Sequence, residues 1–134
     1  MTVLSVTRYS LIESLDKGDE ALTSKRTSER SIAELDELSA RTRELILRSV
    51  FNAGAGHIGG PLSVADILIN LYFDRIHIDP SEPHLNDRDR VILSKGHSSI
   101  ALYTVLAMRG YFPVEELDTF DAIDSRLQGH PCMK

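Results

Sequence analysis

Residues 86–112 read NDRDRVILSKGHSSIALYTVLAMRGYF. Within this stretch the run from Arg90 to Ser94, rich in β-branched and apolar residues and bounded by charges and by Lys95-Gly96, reads as a strand. From about Ser98 to Arg109 the positions Ile100, Leu102, Tyr103, Val105 and Leu106 are apolar, and Gly110 stands where a left-handed residue ends a helix. One strand alone leaves a row of unpaired N–H and C=O groups, so a sheet is implied of which most is missing from the chain.

Upstream, Ser31 and Glu34 have the spacing of a capping box and open a helix. Its core face is Leu35, Leu38, Leu45, Ile46, Val50 and Ala53, with Arg41, Arg43, Glu44 and Arg48 mainly opposite, and Gly54 and Gly56 ending it. After GAGHIGGP, a second capping pattern, Ser63 followed by Asp66, opens a helix whose positions Val64, Ile67, Leu68, Leu71 and Tyr72 are so uniformly apolar that a buried helix is expected. Residues 74–89 hold two prolines and many turn formers and read as a loop. Pro113, with Glu115 and Glu116 behind it, starts a short helix to about Phe120, and residues 125–134 are irregular. Residues 1–30 carry five basic and five acidic groups among short apolar patches and read as a loosely attached extension with a short helix around Leu11 to Leu15. The expected organisation is therefore an extension, 1–30, and one partial domain, 31–134.

Composition narrows the function classes. The 134 residues suffice for one ordinary soluble domain. Twenty acidic against fifteen basic side chains give a net charge of -5, and the basic residues are scattered, which argues against a nucleic-acid surface. The first ten residues lack a basic and apolar leader pattern and no apolar run is long enough to span a bilayer, so neither secretion nor a membrane role is expected. The single cysteine, Cys132, excludes an intrachain disulfide and a cysteine-based zinc site of the usual spacing, and fits a reducing, cytoplasmic setting. No GxxxxGK[ST] loop, GxGxxG fingerprint or GxSxG elbow is present.

Three of the five histidines directly follow glycine: Gly56-His57, Gly96-His97 and Gly129-His130. With glycine at roughly 7% of average sequence, about 0.3 such pairs are expected among five histidines. Glycine lets the backbone turn sharply beside a ligand, and imidazole moves protons near neutral pH. Each pair is expected at a loop beside a helix start, where free N–H groups favour phosphate. A lone loop histidine is ordinarily a solvated or hydrogen-bonding residue, and His77 and His84 are read that way. The run Asn86 to Arg90 is read as a loop held by local ion pairs and Cys132 as an ordinary thiol. Zinc held by the Gly-His histidines is a minor alternative, since they are too far apart in sequence for a local ligand motif.

The segments GAGHIGGPLSVADIL, NDRDRVILSKGHSSIALYTVLAMRGYF and LQGHP, in that order, resemble the N-terminal, diphosphate-binding domain of transketolases from about Ile32 onward. The LSKGH form resembles transketolases more than deoxyxylulose-phosphate synthases, and especially the type divided into two subunits. The resemblance implies the N-terminal part of a thiamine diphosphate-binding α/β fold, a parallel sheet flanked by helices, incomplete in this chain. It implies transfer of a two-carbon ketol unit from a ketose phosphate to an aldose phosphate, within pentose phosphate and carbohydrate metabolism. By resemblance, His57 lies over the reactive thiazolium and touches donor oxygens, and His130 bonds the donor's first hydroxyl. His97, with Gly96 and Gly129, lies on the cofactor side, His97 beside the diphosphate. Preorganised donors there stabilise charge developing on a carbonyl oxygen.

The resemblance also implies thiamine diphosphate and Mg²⁺, but the family's metal motif, GDG and a later asparagine, is expected after LQGHP, and no metal ligand is assigned in this chain. The activating glutamate belongs to the family's second domain, so a C-terminal transketolase subunit or domain is the expected partner, in a homo- or hetero-oligomer such as a dimer. The chain alone is expected to be inactive. The competing reading is a non-catalytic interaction or assembly module derived from the same family.

Overall fold

The computed structural model describes residues 30–131 and, by backbone, Leu4–Thr7. The expected helix around Leu11 to Leu15, and Cys132, lie outside the described residues. In chain order the elements are strand β1 (Leu4–Thr7), helix α1 (Ile32–Ala53), helix α2 (Gly59–Asn70) continued by a π-helical turn (Leu71–Arg75), strand β2 (Arg90–Leu93), a 3₁₀ turn (Gly96–Ser98), helix α3 (Ser99–Arg109) and a second 3₁₀ turn (Val114–Thr119).

Helix α1 starts as its sequence dictates. The Ser31 N–H donates to Glu34 Oε2 at 2.8 Å and the Glu34 N–H to Ser31 Oγ at 3.3 Å, which satisfies two otherwise orphaned donors. The Ser31 hydroxyl, which also donates to Glu34 Oε2 at 2.8 Å, and then the Ser31 N–H hold the Glu34 carboxyl below its usual range. Ser39, Thr42, Leu45, Ile46, Ser49 and Val50 form the buried stripe, and the helix ends at Gly54 in the left-handed conformation.

Helix α2 begins earlier than expected, at Gly59, with Pro61 in the first turn, where a missing N–H costs nothing. Ser63 is therefore inside the helix and not its cap. Its hydroxyl donates back to the Gly60 carbonyl at 2.8 Å. Asp66 is not a capping partner either: it receives Arg43 of α1 at 2.6 Å, which lowers the Asp66 pKa and raises that of Arg43. Nor is α2 buried all round, since Val64, Ala65, Leu68 and Ile69 face the core while Ile67 is 51% exposed.

Helices α1, α2 and α3 pack on one another around Leu45, Ile46, Leu68, Ile100 and Val105, with Leu117 of the second 3₁₀ turn closing the core. Each such side chain contributes about 1.5–3 kcal/mol on burial. The segment from Pro113 is helical as expected but 3₁₀ in form. Loop 76–89 is pinned by Asp89, whose carboxylate accepts from the His77 N–H at 2.7 Å and whose own N–H donates to the His77 carbonyl at 2.9 Å.

Strand β2 forms where expected, yet it is not alone. β1 pairs with it antiparallel, with Leu4 opposite Leu93 and Thr7 opposite Arg90. Part of the expected loose extension thus supplies backbone partners to the open edge, as an unpaired row of N–H and C=O groups requires. Among the described residues this antiparallel two-stranded ribbon is the sheet, and Ile92 remains 57% exposed on it.

Candidate functional site

The three Gly-His pairs, scattered in sequence, meet in space. His57 lies in the α1–α2 connection behind Gly56, whose φ of 135° disfavours any side chain and whose added Cβ would meet Val50 at 3.3 Å and the Phe120 ring at 3.5 Å. His97 follows β2 in the 3₁₀ turn that leads into α3. His130 comes from the irregular segment after Leu127 and not from beside a helix start, which corrects that expectation for the third pair. The His97 ring stands edge-on to both others, with centroids 4.6 Å from His57 and 4.5 Å from His130 and interplanar angles of 72° and 73°.

The rings border an open cleft of about 580 Å³ whose apolar wall includes Ile100 and Phe120 and whose rim includes Asp121, Gln128 and Gly129. Its size falls in the usual range for a small-molecule site. All three imidazoles are exposed. They can therefore donate or accept hydrogen bonds toward a ligand.

Several supporting contacts had no signal in the sequence. Lys95 Nζ donates to Ser63 Oγ at 2.7 Å and to the Gly60 carbonyl at 3.3 Å, tying the His97 turn to the start of α2 next to the His57 loop. Ser99 Oγ donates to the Gly129 carbonyl at 2.7 Å, and the Gly129 N–H donates to Asp121 Oδ1 at 3.1 Å. A Cβ on Gly96 would lie 2.8 Å from His130 Cδ2, so glycine there lets the His130 ring lie against the His97 turn. Nearby, Arg126 donates to Glu116 through both Nε and Nη2, which raises the Arg126 pKa and braces the segment before His130 against the second 3₁₀ turn.

His77 and His84 stay out of the cleft. His77 is half-buried, 4.0 Å from Asp87, and His84 is exposed in the loop. The zinc alternative finds no ligand set: among the described residues no group of three or more His, Cys, Asp or Glu side chains could hold a metal ion. Among them, too, no helix is long and apolar enough to cross a membrane.

Three histidines presented by glycine turns at a strand end, a helix start and a returning loop meet at one open cleft, and comparison with known proteins gives the family of the chain. Residues 36–134 match the family described as transketolase, thiamine diphosphate binding domain, and the chain belongs to that family. Among its relatives, the 6-deoxy-6-sulfo-D-fructose transketolase subunit SqwG of Clostridium sp. (strain MSTE9) is 46% identical over 92 residues, 69% of this chain and 34% of that subunit. An apulose-4-phosphate transketolase subunit of Phocaeicola vulgatus is 40% identical over 100 residues, 75% of this chain and 36% of that subunit. Transketolase 2 of Escherichia coli (strain K12) is 42% identical over 96 residues, 71% of this chain and 14% of that protein. The chain thus matches about a third of the two subunits and about a seventh of the longer enzyme.

Proposed function

We propose that this chain is a component of a thiamine diphosphate-dependent transketolase that transfers a two-carbon ketol unit from a ketose phosphate to an aldose phosphate. The observation that carries the reading is the convergence of His57, His97 and His130 on one cleft. The cleft is roomy enough for a bound cofactor and its rim is free of side chains at Gly56 and Gly129, so the residues present fit thiamine diphosphate. When bound, that cofactor supplies a nucleophilic carbon to which a ketol unit can be attached and from which it can be released.

The chain's own residues then have separate tasks. His57 and His130, at opposite ends of the imidazole row, hold the donor's oxygens by hydrogen bonds and stabilise charge on its carbonyl oxygen. His97, between them, faces the diphosphate, with Gly96 and Gly129 on the same cofactor side. Ile100 and Phe120 exclude water from one wall. Mg²⁺ is proposed from family chemistry alone, because the described residues offer no fitting cluster, and no residue of this cleft is assigned to it.

The proposed partner is a C-terminal transketolase subunit or domain in an oligomer, and the proposed setting is the cytoplasm and pentose phosphate metabolism. Supporting a partner, Leu47, Phe51 and Ile58 make an apolar patch beside the His57 loop, with Phe51 85% exposed. The fold proposed for the complete domain is the parallel sheet flanked by helices, with β2 one of its strands. The same patch is what favours the second reading, an assembly module without catalysis.

Ketol transfer by the protein assembled with a C-terminal transketolase subunit separates the two. The enzyme reading predicts that His57→Ala lowers kcat by about 10²–10³-fold, the usual cost of removing one preorganised donor. Unchanged turnover in that variant would favour the assembly module.

A further inference from the structure

Among the described residues no hydrogen bond holds the His130 ring itself. Its position is set by its backbone and by contact with the His97 ring and Gly96. The backbone just before it is held from two sides. Ser99, the first residue of α3 and 1% exposed, donates its hydroxyl to the Gly129 carbonyl at 2.7 Å. A buried hydroxyl is costly to leave without a partner, so this bond is firmly kept, and it transmits the fixed position of a packed helix to the loop. On the other side the Gly129 N–H donates to Asp121 Oδ1 at 3.1 Å, a bond strengthened by the acceptor's charge. Asp121 itself adopts φ 60°, a left-handed conformation that aspartate tolerates better than most residues, and its N–H is tied to the Leu127 carbonyl at 2.9 Å.

We propose that Ser99 and Asp121 are positioning residues that grip the Gly129 peptide from both sides and so hold His130 edge-on to His97 in the cleft. Neither needs to touch substrate. The proposal rests on the catalytic reading of His130 given above for its consequence in rate, and on the geometry alone for its consequence in structure. A catalytic group displaced by about 1 Å can lose on the order of 10²-fold in rate.

Two substitutions separate the carboxylate from the backbone shape. Asp121→Gly keeps the left-handed conformation and removes the acceptor, whereas Asp121→Asn keeps both. Each is made in the full chain with ring-labelled histidine and followed by the nuclear Overhauser contact between the His97 and His130 rings. Each is also assayed for ketol transfer with the C-terminal subunit. The clamp predicts that Asp121→Gly and Ser99→Ala lose the ring contact and lower kcat about 10–100-fold with little change in KM. It also predicts that Asp121→Asn restores the contact and most of the rate. An undisturbed ring contact in both Asp121→Gly and Ser99→Ala overturns the clamp. His130→Ala is the control for the underlying reading: full ketol transfer in that variant, with the ring contact still lost in Asp121→Gly, would overturn the catalytic consequence and uphold the structural one.

Discussion

Tyr72, in the π-helical turn after α2, is 8% exposed, and burial together with the neighbouring Tyr111 pushes its phenol from 10.0 up to about 12, against a smaller opposing pull from Arg88. Because folding favours the neutral phenol, the stability linked to Tyr72 is present below pH 10 and is lost as pH rises from 10 towards 12. At about 1.4 kcal/mol per unit, the loss amounts to roughly 2–3 kcal/mol. Denaturant unfolding at a series of alkaline pH values should show Tyr72→Phe with a shallower decline than the wild type, and equal slopes would refute the assignment. The three histidines that meet at the cleft stood out at this scale because glycine precedes each of them. Ser99 and Asp121 were not, since they act on the backbone of Gly129, thirty and eight residues away, and backbone acceptors leave no mark in a sequence.

Between elements, the Arg43–Asp66 pair joins α1 to α2 at 2.6 Å, but its side chains are 38% and 68% exposed. Solvent screening limits such a pair to about 0.2–1 kcal/mol. Since the Asp66 pKa is lowered in the fold, this contribution is fully present above the ordinary value of 3.8 and is lost as pH falls through the lowered one. Asp66→Asn should cost less than about 1 kcal/mol at neutral pH and reduce the salt sensitivity of unfolding. A larger cost would mean that Asp66 supports packing as well as charge.

The same aspartate shows where sequence patterns mislead. Ser63 and Asp66 have capping-box spacing, yet Pro61 and the glycines before it start the helix more than a turn earlier, at Gly59, and the two side chains turn to Gly60, Lys95 and Arg43 instead. The capping box of α1 and the glycine ends of α1 and α3 were legible because they are local, whereas the pairing of β1 with β2 joins residues more than eighty positions apart and follows from no local pattern.

At the scale of the whole molecule, three loops carry the histidines and one three-helix core sets their spacing. The α1–α2 contact places the His57 loop, β2 and α3 place His97, and the anchoring of Gly129 on α3 brings His130 back to them. Family membership adds the cofactor class, while the exposed patch at Phe51 is where a partner is proposed to pack. The proposed arrangement has these imidazoles lining a single thiamine diphosphate cleft. Its most direct test is a titration of thiamine diphosphate with Mg²⁺ into the ring-labelled protein assembled with a C-terminal transketolase subunit, followed through the five histidine signals. Saturable shifts are expected at His57, His97 and His130 with His77 and His84 unmoved. Saturating binding that leaves the three cleft histidines unshifted would contradict it.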